Sequence, residues 1–189
     1  VIRSTFEQAA TGTGRLASHN PNVQTVPLFG EWAQRFRSCL VPVIQGNIFV
    51  AADYSQIELR VLAHLSGEER LLEAFAQGRD VHTETASWVF ELPADFITDE
   101  QRRFAKVINF GLLYGMSAHG LAQRMGIKRF EAASIVERYF KVFPHVSAYL
   151  QNSAKEAKER GYTRSLFGRI RPLSEVTTIE GRGGGSIDR

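Results

Sequence analysis

The rhythm of apolar and polar positions changes several times along this 189-residue chain, and each change marks an expected element. Through Pro27 no period holds. Thr, Gly, Ser and Asn dominate there, with Thr11-Gly12-Thr13-Gly14 and Asn20-Pro21-Asn22 as turn signals, so loop and short strand are expected. Ile48-Phe49-Val50-Ala51-Ala52, entered from Gln45-Gly46-Asn47, is a short unbroken apolar run and predicts a buried strand with Asp53 at its end. Ile57, Val61, Leu62 and Leu65 then recur at helical spacing, which predicts a helix ending near Gly67.

Helical patterns dominate the next hundred or so residues. Helices are expected over Glu68–Ala76, stopped by Gly78, and over Val81–Phe90, stopped before Pro93. Thr98-Asp99-Glu100-Gln101 has the form of a capping box, so a long helix should run from there to about Leu113. Apolar positions from Ala132 to Phe143 predict a helix over Lys128–Phe143, and a further amphipathic one spans about Val146–Arg160. Gly161 to Pro172 reads as a hairpin. The tail from Ile179 to Ser186 is too rich in glycine to pack; its Ile-Glu-Gly-Arg followed by Gly and Ser also resembles an engineered, protease-cleavable linker.

Composition narrows the classes. No apolar run is long enough for a membrane-spanning helix, and Val1-Ile2-Arg3-Ser4 lacks the order of a signal peptide, so the chain reads as soluble and as open to being a piece of something longer. The single cysteine, Cys39, excludes an intrachain disulfide and a cysteine-based zinc site, and is expected to be a small buried apolar residue. Charge is unevenly spread. Val50–Glu100 holds eleven acids and three bases, whereas Gln101–Pro172 holds fourteen bases and four acids. An acidic segment followed by a basic one suits a metal site beside a phosphate-binding surface, though solvated helix faces of opposite sign remain open.

The long helix carries the most informative pattern. Arg102, Lys106, Phe110 and Tyr114 follow one another at steps of four, a slowly drifting stripe roughly 18 Å long. Phe104, Val107, Ile108 and Leu112 lie off it and can face a core. Two cations followed by two aromatics suit a nucleoside triphosphate, phosphates at one end and base or sugar at the other. For this helix alone, a solvated basic turn followed by core aromatics is the competing reading.

Asp53-Tyr54-Ser55-Gln56-Ile57-Glu58-Leu59-Arg60 and Arg102 to Gly115 closely resemble motifs A and B of family A (DNA polymerase I-like) DNA polymerases. The resemblance continues through Thr13-Gly14-Arg15-Leu16, Asn20-Pro21-Asn22-Val23-Gln24, Asp80 to Ala86 and Gly161-Tyr162. It implies an α+β fold: a mainly helical fingers subdomain (residues 68–160) inserted in a partial antiparallel-sheet palm (residues 1–67 and 161–189). The implied activity is template-directed addition of dNTPs to a primer 3′ end by two-metal nucleotidyl transfer, in a monomeric, cytoplasmic enzyme acting on primer-template DNA without a membrane partner.

The resemblance assigns roles residue by residue. Asp53 would bind both Mg²⁺ ions and the Tyr54 carbonyl one of them, although an Asp after a strand is by itself more often a helix cap. Arg102 and Lys106 would act in catalysis by gripping phosphates, with His82 as a further phosphate contact that would otherwise be a structural histidine. Gln56 would help bind substrate, Glu58 would bar a ribose 2′ hydroxyl, and Phe110 would pack on the incoming nucleotide. Tyr114 would stack beside the nascent pair, with Gly115 leaving room for the template. Arg15, Asn22 and Gln24 would contact the minor groove, whose acceptors are common to every correct pair; loop roles compete for the last two. Asn109 is expected to be structural.

Leu28 and Thr25 depart from the family pattern. So does the lack of a His-Asp-Glu motif, whose Asp would complete the metal site, and the 189 residues alone are therefore expected to be inactive. The rival readings are a non-catalytic nucleic-acid-binding module derived from a polymerase, a folded scaffold without function of its own, and a single-subunit RNA polymerase, against which Glu58 argues.

Overall fold

The computed structural model describes residues 1–28 and 30–173. The proposed linker in the tail lies outside the described residues. The chain divides into two compact units, Val1–Tyr54 and a second that begins at Ser55.

In the first unit β1 (Thr5–Glu7) pairs antiparallel with β2 (Ala17–His19), Thr5 opposite His19. A 3-10 turn, Val23–Thr25, follows. Loop and short strand are thus what this segment forms. α1 (Glu31–Ser38) was not expected. Its Trp32 and Phe36 are mostly exposed and only Ala33 is buried, so the helix rests on local contacts rather than on a core. Glu31 and Arg35 form an ion pair at 2.8 Å, and the Arg35 guanidinium lies 5.3 Å from the Trp32 ring.

Two expectations fail here. Ile48–Ala52 is not a strand: residues 47–54 have no regular structure, and Ile48, Phe49 and Val50 are 81%, 68% and 84% exposed. A strand needs a neighbour to take its backbone hydrogen bonds, and no strand among the described residues pairs with this run. Cys39 is exposed rather than buried; it lies at the end of α1, where its Sγ–H donates to the Arg35 carbonyl at 3.3 Å.

The second unit is helical. It comprises α2 (Ile57–Ser66), α3 (Glu69–Ala76), α4 (Val81–Phe90), α5 (Asp99–Leu113), α6 (Ala118–Met125), α7 (Arg129–Val142) and α8 (Pro144–Arg160). A hairpin of β3 (Tyr162–Arg164) and β4 (Ile170–Pro172) follows. The architecture is α+β, with helices predominant. Most boundaries agree with the expected ones to within two residues. α6 was missed, although Ser117 at its N-cap and Gly126 at its left-handed C-cap (φ +65°) are both ordinary terminators. Among the described residues no helix is long and apolar enough to cross a membrane.

One core joins these helices. Leu59, Leu71, Val81, Val89, Ile108, Leu121, Tyr139 and Phe143 are all buried and packed together, with the Tyr139 and Phe143 rings 4.8 Å apart. Burying Leu or Ile side chains of this size contributes about 1.5–3 kcal/mol each. Glu68 is a buried carboxylate that ties two helices together. It accepts the His145 backbone N–H at 3.0 Å, satisfying a donor in the first turn of α8.

Candidate functional site

The capping box at the start of α5 is formed as its sequence suggests. The Thr98 hydroxyl accepts from Gln101 N–H at 3.2 Å and the Gln101 side chain accepts from Thr98 N–H at 2.9 Å. That start fixes the register of the helix, and the register decides which residues it exposes. Ala105, Ile108, Asn109, Gly111 and Leu112 are buried. Lys106 and Tyr114 are exposed, while Arg102 and Phe110 are half-exposed. The Arg102–Tyr114 stripe thus lies opposite the buried side, with Lys106 and Tyr114 its most accessible members; Phe110 also packs against the core, and Phe104 and Val107 are as partly buried as Arg102 and Phe110.

Small residues let α4 approach α5 closely. Ala86, Thr85 and Ala105 are all fully buried. The Asn109 amide N–H₂ donates to Thr85 Oγ1 at 3.1 Å and lies 3.2 Å from His82 Nδ1, and the Thr85 hydroxyl lies 3.3 Å from Asn109 Oδ1. Asn109 is thus structural, as expected. His82 is 2% exposed, its ring 5.8 Å from that of Phe110. Burial holds its pKa below the usual histidine value, and Arg102 and Lys106 push the same way against the pull of Asp80, so the ring is neutral at pH 7. As it stands it fixes Asn109 and backs Phe110, and its burial leaves little surface for the phosphate contact that the sequence suggested.

Sequence reading missed Asp80. It caps α4, accepting from Thr83 N–H at 2.8 Å, and it also holds Arg102 through two hydrogen bonds, Nε to Oδ1 at 3.2 Å and Nη2 to Oδ2 at 2.7 Å. Burial opposes ionisation of its carboxyl, but the hydrogen bonds from Arg102 and Thr83 prevail and lower its pKa to about 2. The cap was legible in the spacing of Asp80 and Thr83. The pairing across 22 residues had no local signal.

Glu58 and Tyr114 meet at a second feature. With Ile57, Val61, Leu62, Leu65, Leu113 and Tyr149 they line an open, mostly apolar cleft of about 310 Å³ between α2, the end of α5 and α8. Gln56 precedes α2 in the left-handed conformation (φ +53°), a turn that sets where the first helical residues point. Arg60, two residues on from Glu58, has its Nε donating to the Ser55 carbonyl at 3.0 Å and its guanidinium 4.4 Å from the Phe75 ring. Gly115 ends α5 at φ +73°, where any side chain would be strained.

The other candidates belong to the first unit. Asp53 and Tyr54 are exposed, and Asp53 is not a cap, since the N-cap of α2 is Gln56. Asn22 and Gln24 hold the turn together. Asn22 Oδ1 accepts from Gln24 N–H at 3.0 Å and from the Ser18 hydroxyl at 2.9 Å. Gln24 accepts from Ser18 N–H at 2.8 Å and donates to the Leu16 carbonyl at 3.0 Å, pinning β2. Arg15 is exposed. Among the described residues no group of three or more His, Cys, Asp or Glu side chains is placed to hold a metal ion. Asp53 and the Tyr54 carbonyl are hard oxygen donors of the kind Mg²⁺ takes, but by themselves they do not make up its octahedral set.

Comparisons with known proteins give the family. The thermostable DNA polymerase I of Thermus aquaticus is 51% identical over 175 residues, covering 93% of this chain and 21% of the relative. DNA polymerase I of Bacillus caldotenax is 46% identical over 177 residues, covering 94% of this chain and 20% of the relative. The chain thus spans about a fifth of the length of these curated relatives. Among solved structures, the POL domain of Pol1 from M. smegmatis in complex with DNA primer-template and dNTP superposes with a TM-score of 0.85 at 42% identity, over 93% of this chain and 31% of that one. The family profile matches residues 1–184, and the chain belongs to DNA polymerase family A.

Proposed function

We propose that this chain supplies the nucleotide-gripping part of a template-directed DNA polymerase that adds dNTPs to a primer 3′ end. The single observation that carries the reading is the Arg102–Lys106–Phe110–Tyr114 stripe of α5, exposed at Lys106 and Tyr114 and half-exposed at Arg102 and Phe110, opposite a side buried in the core. Arg102 and Lys106 bind the triphosphate oxygens through charge-assisted hydrogen bonds, and Phe110 and Tyr114 give flat surfaces to the sugar and bases. Glu58, from the first turn of α2, narrows the space beside Tyr114 and disfavours a 2′ hydroxyl. Gln56 sets the entry to that turn. Arg15, Asn22 and Gln24 track the minor groove, with the Asn22 amide N–H₂ as donor, and Gly115 gives the template passage.

Family A polymerases are in general metal-dependent. Asp53 and the Tyr54 carbonyl would help hold Mg²⁺, which when bound offsets charge on the triphosphate and on the attacking and leaving oxygens. Because two donors fall short of a protein-held pair of ions, the 189 residues alone carry only part of that site. The division into palm (1–67 and 161–189) and fingers (68–160) follows from the motifs, as do a monomeric state and the cytoplasm of a bacterium, the origin of the named relatives. The partners are primer-template DNA and dNTP.

The test is Lys106→Ala in a full-length polymerase carrying this segment. The dNTP requirement should rise about tenfold or more, the value of one charge-assisted hydrogen bond, while primer-template affinity changes little. Equal loss of both would favour a general nucleic-acid-binding face instead.

A further inference from the structure

We propose that Asp80 is a positioning residue for nucleotide binding: it holds one edge of the Arg102 guanidinium and so aims the other edge at the triphosphate. The inference rests on the reading of Arg102 as a phosphate contact. Its physical basis is the way the carboxylate is itself held. Asp80 Oδ1 accepts from both the backbone N–H and the hydroxyl of Thr83, at 2.8 and 3.0 Å, so the first turn of α4 fixes its orientation. That turn is tied to α5 by the buried Thr85–Asn109–His82 contacts. A rigid acceptor thus meets the Nε–Nη2 edge of Arg102. The pair uses Nε and one Nη2 hydrogen, which leaves the N–H groups of the Nη1–Nη2 edge to form a second fork.

A free arginine loses rotamer entropy when it is pinned. Here that loss is incurred on folding, before any ligand arrives, and binding is tighter for it. Lys106 offers a contrast within the same stripe: among the described residues no ion pair holds it, so it meets phosphate as a mobile point charge. The opposing effect is that the carboxylate also repels phosphate and competes for the cation. The Arg102 side chain is 43% exposed and that of Asp80 36%, so solvent screens the repulsion, whereas the fixed orientation remains.

The experiment measures the apparent Kd for dNTP from single-turnover extension, together with primer-template affinity and melting temperature, in a full-length polymerase carrying this segment. Asp80→Ala should weaken dNTP binding about 3- to 30-fold with DNA affinity unchanged. Asp80→Asn, whose single carbonyl oxygen can still accept from Thr83 and Arg102 Nε while its NH₂ no longer accepts from Nη2, should recover only part of the loss. In an Arg102→Ala background Asp80→Ala should add nothing further. Tighter dNTP binding by Asp80→Ala would overturn the proposal in favour of a competing carboxylate. A loss that persists undiminished in the Arg102→Ala background, alongside a lowered melting temperature, would overturn it in favour of a helix cap alone. If Arg102→Ala itself leaves dNTP binding unchanged, the phosphate-contact reading has failed, which differs from an Arg102→Ala defect that Asp80→Ala does not share.

Discussion

The two compact units hold their candidate residues in opposite ways. In the second, each member of the α5 stripe takes its position from a helix whose other side is buried, and the buried residues Ile108, Asn109 and Leu112 leave α5 one orientation. In the first, Asp53 follows an exposed apolar run with no regular structure, and Asn22 and Gln24 are placed by hydrogen bonds within a short hairpin and its turn. The groups proposed to grip the nucleotide are thus preorganised by packing, and those proposed to bind metal are not. Preorganisation of this kind belongs to helix register and core, and it can be tested as such.

The largest expected difference is in stability. Leu121→Ala removes a fully buried side chain and should cost about 2–5 kcal/mol in denaturant unfolding. Phe49→Ser, at 68% exposure, should stay within about 0.5 kcal/mol; similar costs for the two would erase the contrast between the units. Next comes the turn of the first unit. Asn22→Ala removes the cap over Val23–Thr25 and its bond to Ser18, at about 0.5–2 kcal/mol, and amide exchange should rise at Ser18 and Gln24 while α5 keeps its protection.

The smallest effect concerns pH. His82 has a folded pKa below its usual value of 6.5, so the unfolded chain takes up the proton first. Its contribution to stability is full above pH 6.5 and declines as pH falls from there toward the lowered folded value. Asp80 differs in its window: with a folded pKa of about 2 against 3.8, its contribution is present above pH 3.8 and lost as pH falls toward 2. Unfolding curves at about pH 7.5 and about pH 5 should therefore show a smaller acid loss in His82→Gln than in the parent chain. An identical loss would mean that the ring does not titrate as a buried group.

What was legible in the sequence follows from the range of each interaction. α5 could be read because its capping box and period are local; Ile108 and Leu112 are buried and Lys106 and Tyr114 exposed as the spacing required, whereas Phe104 and Val107 are no more buried than Arg102 and Phe110. Ile48–Ala52 was misread because apolar residues state only what a strand would do if given a neighbour, and pairing is not local. Cys39 was misread for a related reason: residue type gives an average burial, and the end of α1 has no core around it. Asp80 shows both limits at once, its cap visible at three residues' distance and its hold on Arg102 visible only in three dimensions.

The central claim is that the stripe on α5, rather than positive charge on that helix in general, grips the nucleotide. Arg103 is also exposed on α5 but lies one residue off the stripe. In a full-length polymerase carrying this segment, Lys106→Ala should raise the apparent Kd for dNTP about tenfold or more, and Arg103→Ala by less than about twofold. Equal effects of the two substitutions would contradict the claim.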